Sequence, residues 1–139
     1  RALKALVTEL GLRNVIFAGQ VSDAQKAALL ERCHALVLPS HVRSEAFGVV
    51  LIEASMYRRP MISCEVGSGT SFVNVHGETG LVVPPEDVDG LAGAMNALLA
   101  DSALVEKFGL AARQRYESLF SGTALGKAYA QLYHDVIRS

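Results

Sequence analysis

The sequence predicts an α/β domain: a Rossmann-like, doubly wound parallel sheet of about four strands, covered by helices on both faces. Three observations predict it. Short apolar runs alternate with segments of helical periodicity in the order α-βα-βα-βα-β-α-α-α, the pattern of parallel strands joined by helical crossovers. The runs are continuous rather than alternating, as strands are when helices cover both faces of their sheet. The chain has 139 residues, 50% of them hydrophobic and 19% charged, which suits one domain with its own core.

Each element has its own justification. Residues 2–10 carry apolar positions at helical spacing and stop at Gly11. Asn14-Val15-Ile16-Phe17-Ala18 reads as a short buried strand ended by Gly19. Ser22-Asp23-Ala24-Gln25 has the spacing of a capping box and predicts a helix through about Arg32. Ala35-Leu36-Val37-Leu38 is the next strand, closed by Pro39, which cannot donate to a ladder. A polar loop spans 40–46. A helix runs from Phe47 or Gly48 to about Tyr57, and Pro60 follows it. Met61-Ile62-Ser63-Cys64 is the third strand. Gly67-Ser68-Gly69-Thr70-Ser71 is a glycine-rich loop into a short helix, and Thr70 or Ser71 can cap that helix. Gly80-Leu81-Val82-Val83 is the fourth strand, stopped by Pro84-Pro85. Helices over about 87–100, 102–119 and 122–137 finish the chain, with Asp101 or Ser102 and Ser121 as N-caps. The first helix lacks the strand that should precede it, so one or two strands are expected upstream, and residues 1–139 read as one domain cut at its N-terminal side.

Composition narrows the function. A net charge of −1 argues against a nucleic-acid platform. No apolar run approaches the roughly 20 residues of a membrane span, and the chain opens in a helical pattern rather than a signal peptide. Cys33 and Cys64 form no C-x-x-C, and the four histidines form no H-x-x-x-H, so a metal site is not expected.

In such sheets ligands bind beyond the carboxyl ends of the strands. Three of the four loops there place Gly, Ser or Thr beside a helix start, where unpaired N–H groups and the positive end of the helix dipole suit a phosphate. The strongest is Ala46-Phe47-Gly48-Val49, because Gly48 lets a ligand approach the backbone. Glu45 precedes this helix and Glu53 lies about two turns into it, so their backbones are roughly 9–12 Å apart along the axis. That is about the span of a diphosphate with a sugar at each end. Spacing alone does not separate this arrangement from two solvated acids. Glu53, however, sits in a helix that is apolar almost all round, where a carboxylate needs a partner or a ligand.

Leu38-Pro39-Ser40, followed by Ser44-Glu45-Ala46-Phe47-Gly48-Val49-Val50-Leu51-Ile52-Glu53-Ala54, resembles the E-x7-E segment of the retaining glycosyltransferases of family 4, which have the two-domain GT-B fold. The similarity runs from Val15-Ile16-Phe17-Ala18-Gly19 through Gly77-Glu78-Thr79-Gly80 into the C-terminal helices. It implies the later part of a C-terminal, donor-binding domain, with the acceptor domain and the diphosphate-neutralising Arg and Lys lying upstream. By this resemblance Glu45 bonds hydroxyls of the transferred sugar and is the catalytic residue of the set. The N–H groups of Phe47 and Gly48 face the sugar and distal phosphate, those of Val49 and Val50 serve the diphosphate, and Glu53 takes the ribose hydroxyls. The loop after Gly19, with Val21 and Lys26, flanks the base; a solvated helix lysine is the competing reading of Lys26.

The third-strand loop departs from the family's G-G-x-P-E, having Thr70 and Ser71 where Pro and Glu are expected. The phrase Cys64 to Asn74 resembles a bacterial branch that builds surface polysaccharides, often mannosyltransferases using GDP-mannose. The resemblance therefore implies a nucleotide-sugar donor, GDP-sugar over UDP-sugar, and a glycan or lipid-linked acceptor. It implies no cofactor and no metal, and a cytoplasmic protein peripheral at the inner membrane face. A stand-alone nucleotide-binding module is the alternative; it needs Glu53 and a phosphate nest but no second carboxylate for a hexose. A receiver-like domain is disfavoured, since Gly19–Asp23 offers only Asp23.

Overall fold

A computed structural model describes residues 2–39, 49–65 and 70–138. Their elements run α1 (Ala2–Glu9), α2 (Asp23–Arg32), β1 (Leu36–Leu38), α3 (Val49–Met56), β2 (Met61–Cys64), α4 (Thr70–Val73), β3 (Gly80–Val83), α5 (Val88–Ala100), α6 (Ser102–Arg115), a π-helical turn (Tyr116–Phe120) and α7 (Gly122–Arg138). The strands form one parallel sheet in the order β1-β2-β3, with Leu36 beside Met61 and Met61 beside Gly80.

Both faces are covered, as the continuous apolar runs require. Ile62, Cys64 and Val83 point to one side and pack with Ala94 and Leu98 of α5 and Phe108 of α6. Met61 points to the other and packs with Leu51 and Ala54 of α3, Leu30 of α2 and Val73 of α4. Strand alternation thus sends neighbouring residues of β2 into two separate cores, and all four are buried.

Local chemistry sets the helix ends. The capping box forms in full: Ser22 Oγ accepts from Gln25 N–H at 3.1 Å, and Gln25 Oε1 accepts from Ser22 N–H at 2.8 Å. Asp87, Asp101 and Ser121 accept from Gly90, Leu104 and Ala124 N–H at the starts of α5, α6 and α7. The opposite ends are held by arginines. Arg59 donates to the Leu30 and Glu31 carbonyls of α2, Arg113 to Met56 of α3 at 2.8 Å, and Arg115 to Phe72 of α4 through Nε at 3.0 Å. Carbonyls in a helix's last turn lack intrahelical partners and favour a cation.

Two expectations need correction. Residues 14–18 form no strand: Ile16 is 90% exposed, and no neighbouring strand stands beside the segment among the described residues. A strand exists through its ladder, and an apolar run without a partner does not make one. The sheet therefore has three described strands, not four. The helix expected over 102–119 is regular only to Arg115. It then widens into the π turn, where Ser121 N–H reaches back five residues to the Tyr116 carbonyl at 2.8 Å. Among the described residues no single helix is long and apolar enough to cross a membrane.

Candidate functional site

Helix α3 follows β1, and so starts on the side of the sheet where the strands' carboxyl ends lie. Its inward side buries Leu51, Ala54 and Ser55 against the sheet. Val49 and Glu53, four residues apart, share a face that is not buried: Val49 is 67% exposed and the Glu53 side chain keeps 28% of its surface. Val50 is half-buried beside them.

Glu53 has a partner. Lys26, in the first turns of α2, places Nζ 2.9 Å from Glu53 Oε2. The hydrogen bond to Glu53, and then its negative charge, hold the Lys26 ammonium above the ordinary lysine value against the smaller effect of burial. The partner demanded by a carboxylate in an apolar helix is thus a lysine from the neighbouring helix, and Lys26, though its side chain is 40% exposed, is ion-paired rather than free. A carboxylate accepts several hydrogen bonds, so an ion pair through Oε2 leaves it able to accept from a ligand's hydroxyls.

Gly19 and Val21 lie just ahead of α2. Gly19 adopts φ +67° with nothing within 4 Å of where a Cβ would sit, so conformation rather than crowding selects glycine there. Val21 lines an open depression of about 660 Å³ with Ala18, Gln25 and Leu29. The structure thus brings Lys26 and Glu53 into contact, sets Val49 and Val50 one turn back along α3, and puts Val21 and Gly19 at the start of α2. Glu45, Phe47, Gly48 and the Gly67–Gly69 portion of the glycine-rich loop lie outside the described residues.

Sequence reasoning missed two features near this end of the fold. A second hollow of about 390 Å³, almost wholly apolar, lies between Val49 and Ile52 of α3, Phe72 of α4, Leu119 and Phe120 of the π turn and Leu125 of α7. Arg115 stacks 4.8 Å from the Phe72 ring, and Phe72 meets Phe120 edge-on at 5.7 Å. The aromatic letters were available, but their meeting depends on how α4 packs against the π turn.

Known proteins carry the same architecture. The chain is 51% identical over 119 residues to the D-rhamnosyltransferase WbpZ of Pseudomonas aeruginosa, a match covering 86% of this chain and 31% of that protein. It is 42% identical over 129 residues to the O-antigen chain mannosyltransferase C of Escherichia coli, covering 93% and 35% respectively. It superposes on the sucrose-phosphate synthase of Thermosynechococcus elongatus with a TM-score of 0.86 at 35% identity, over 99% of this chain and 34% of that one. The chain thus spans about a third of the length of the relatives it matches. Residues 1–115 match the family model of the glycosyl transferases group 1, and the chain belongs to that family.

Proposed function

We propose that residues 1–139 are the later part of the donor-binding domain of a retaining, family 4 hexosyltransferase. The whole protein moves a hexose, mannose in this reading, from a nucleoside-diphosphate sugar to a glycan or lipid-linked acceptor during bacterial surface-polysaccharide synthesis. It works at the cytoplasmic face of the membrane, with the acceptor domain upstream of this chain. The observation that carries the reading is the Lys26–Glu53 pair on the unburied face of α3, one turn from the helix start. A carboxylate fixed there can take the ribose hydroxyls while the N–H groups at Val49 and Val50 meet the diphosphate. Glu45 serves the hexose at the other end. Val21 and the depression it lines offer apolar surface to the base.

In this arrangement catalysis is leaving-group stabilisation: the dipole end of α3, with the upstream Arg and Lys, spreads the charge of the departing diphosphate. The rhamnosyl and mannosyl relatives support a hexose or deoxyhexose donor. Guanosine is preferred to uridine in this reading, on the resemblance of the Cys64–Asn74 phrase.

Calorimetric titration of the intact protein tests it. GDP and GDP-mannose should bind more tightly than UDP and UDP-glucose. Glu53→Ala should weaken every nucleotide about ten- to a hundredfold, the worth of hydrogen bonds to a charged group, with Glu53→Gln as the milder control for folding. Glu45→Ala should spare GDP and weaken GDP-mannose. Equal damage to GDP from both alanine variants would refute the two-ended arrangement, and a preference for uridine would refute the base assignment.

A further inference from the structure

Helix α2 carries Lys26, yet it is lightly docked: Leu30 is its one buried side chain. Among the described residues two polar contacts hold it, one near each end, and both come from the same short stretch of chain. Near the start, Glu53 of α3 takes Lys26. At the end, Arg59 donates from Nε to the Leu30 carbonyl at 2.8 Å and from a terminal nitrogen to the Glu31 carbonyl. Cys33 N–H already closes onto the Leu29 carbonyl at 2.8 Å, so Arg59 serves the next two carbonyls of the last turn.

Arg59 is rigidly tied to Glu53. The turn after α3 bonds Tyr57 N–H to Ala54 O, Arg58 N–H to Ser55 O and Arg59 N–H to Ala54 O, and Arg58 adopts φ +59° to make it. Pro60, buried, then fixes the entry into β2. Only five residues therefore lie between the group that grips the end of α2 and the group that grips its start, and three of them are in the helix that carries Glu53. On α2 the gripped positions, Lys26 and Leu30, are four residues or about 6 Å apart along the axis.

We infer that Arg59 is a positioning residue for the donor site: by gripping the last turn of α2 it fixes the rotation and height of that helix on α3, and so seats Lys26 on Glu53. Arg59 touches no donor. It sets where Val21 and Lys26 stand relative to the carboxylate that takes the ribose. The inference rests on the proposed donor-binding reading for its effect on affinity, but its effect on Lys26 is independent of any ligand.

Two measurements on the intact protein test it. The first is a double-mutant cycle on GDP affinity with Arg59→Ala, Lys26→Met and the pair. Arg59→Ala should weaken GDP about three- to tenfold in the wild-type background and by less than twofold once Lys26→Met is present. Arg59→Lys, which keeps the cation but not the planar fork, should fall between wild type and Arg59→Ala. The second follows the Lys26 ammonium by nitrogen-detected NMR without ligand: Arg59→Ala and, more weakly, Arg59→Lys should return its titration toward that of an ordinary lysine. An equal loss of affinity in both backgrounds, or an unchanged Lys26 titration, overturns the proposal, and Arg59→Lys serves both arms if Arg59→Ala fails to fold. If the wild type binds no nucleotide while Lys26 responds as expected, the donor-binding reading fails and the positioning of Lys26 stands.

Discussion

Asn74 offers the sharpest test of how the sheet is held together. It is fully buried just after α4, and its amide reaches three elements. Nδ2 donates to Ser63 Oγ of β2 at 2.9 Å and to the Leu81 carbonyl of β3 at 3.1 Å, with the Met61 carbonyl at 3.3 Å sharing a hydrogen. Oδ1 accepts from Thr79 Oγ1 at 2.9 Å, and that hydroxyl accepts in turn from Val75 N–H at 2.8 Å, closing the turn into β3. Asn74→Ala removes two donated bonds worth about 1 kcal/mol each and leaves a buried cavity with a carbonyl short of its donor, about 1–2 kcal/mol more. Thr79 loses less, because its hydroxyl can swing to the Val75 carbonyl, 3.4 Å away. The expected loss is about 3–4 kcal/mol, a large share of the roughly 5–15 kcal/mol that holds a domain together. Urea unfolding followed by circular dichroism at 25 °C reads it directly, provided the slope is unchanged. A loss below about 1 kcal/mol would refute the assignment of Asn74 as the link between β2, β3 and their turn. Asn74→Asp sharpens the test. It sets an oxygen against three acceptors, so the carboxyl must stay protonated in the fold and its native pKa rises above the unfolded value of about 3.9. Its stability is then fully present below about pH 3.9 and is lost as the pH rises through the native value, the opposite of an ion-paired aspartate.

Further outcomes follow from close packing and from burial. Gly109, inside α6, has the Arg58 carbonyl 2.2 Å from where a Cβ would sit, so Gly109→Ala should destabilise by about 1–3 kcal/mol despite alanine's better helix propensity. Gly93→Ala in α5, where nothing lies within 4 Å, should instead stabilise by up to about 1 kcal/mol; the same urea curves decide both. Burial pushes the Cys33 and Cys64 thiols up, with the Arg59 charge opposing it at Cys33, so both should react slowly with a disulfide reagent at pH 8 and quickly once the protein is unfolded. Because the native values are raised, the thiols' contribution to stability is complete below about pH 8.5 and wanes as the pH climbs through the native values, which a series of melts from pH 7 to 10 would follow.

What the sequence disclosed depends on where each interaction has its partner. The capping box at Ser22 was legible because both partners lie within four residues and both are side chains of diagnostic type. Strands β1, β2 and β3 were legible because burial on both faces demands an unbroken apolar run. The 14–18 run has the same letters and no described ladder, and nothing in five residues reveals whether another strand stands beside them. Glu53 lies between these cases. An acid in an apolar helix announces that it needs a partner, but choosing Lys26, 27 positions earlier, requires knowing how α2 lies on α3.

Arg59, Arg113 and Arg115 were not legible at all. Each binds main-chain carbonyls at the end of a helix distant in sequence, and a carbonyl is present in every residue. Side-chain pairs leave two letters to find, whereas a side chain on a carbonyl leaves one, and an arginine reads equally well as a solvated charge. The three share a geometry as well as a chemistry. Arg59 closes α2, Arg113 closes α3 and Arg115 closes α4, so these three helices end on guanidinium groups supplied from elsewhere in the chain, two of them from α6. At the opposite end of α2 the cap is a side chain, Ser22, rather than a guanidinium. In an α/β domain that holds a diphosphate at a helix start, arginines spent on the carbonyl ends fix the helices without competing for the anion. Under the proposed donor-binding reading, the polarity of the helices separates the residues that build the frame from those placed at the helix starts, and it explains why the first set escaped a reading aimed at the second.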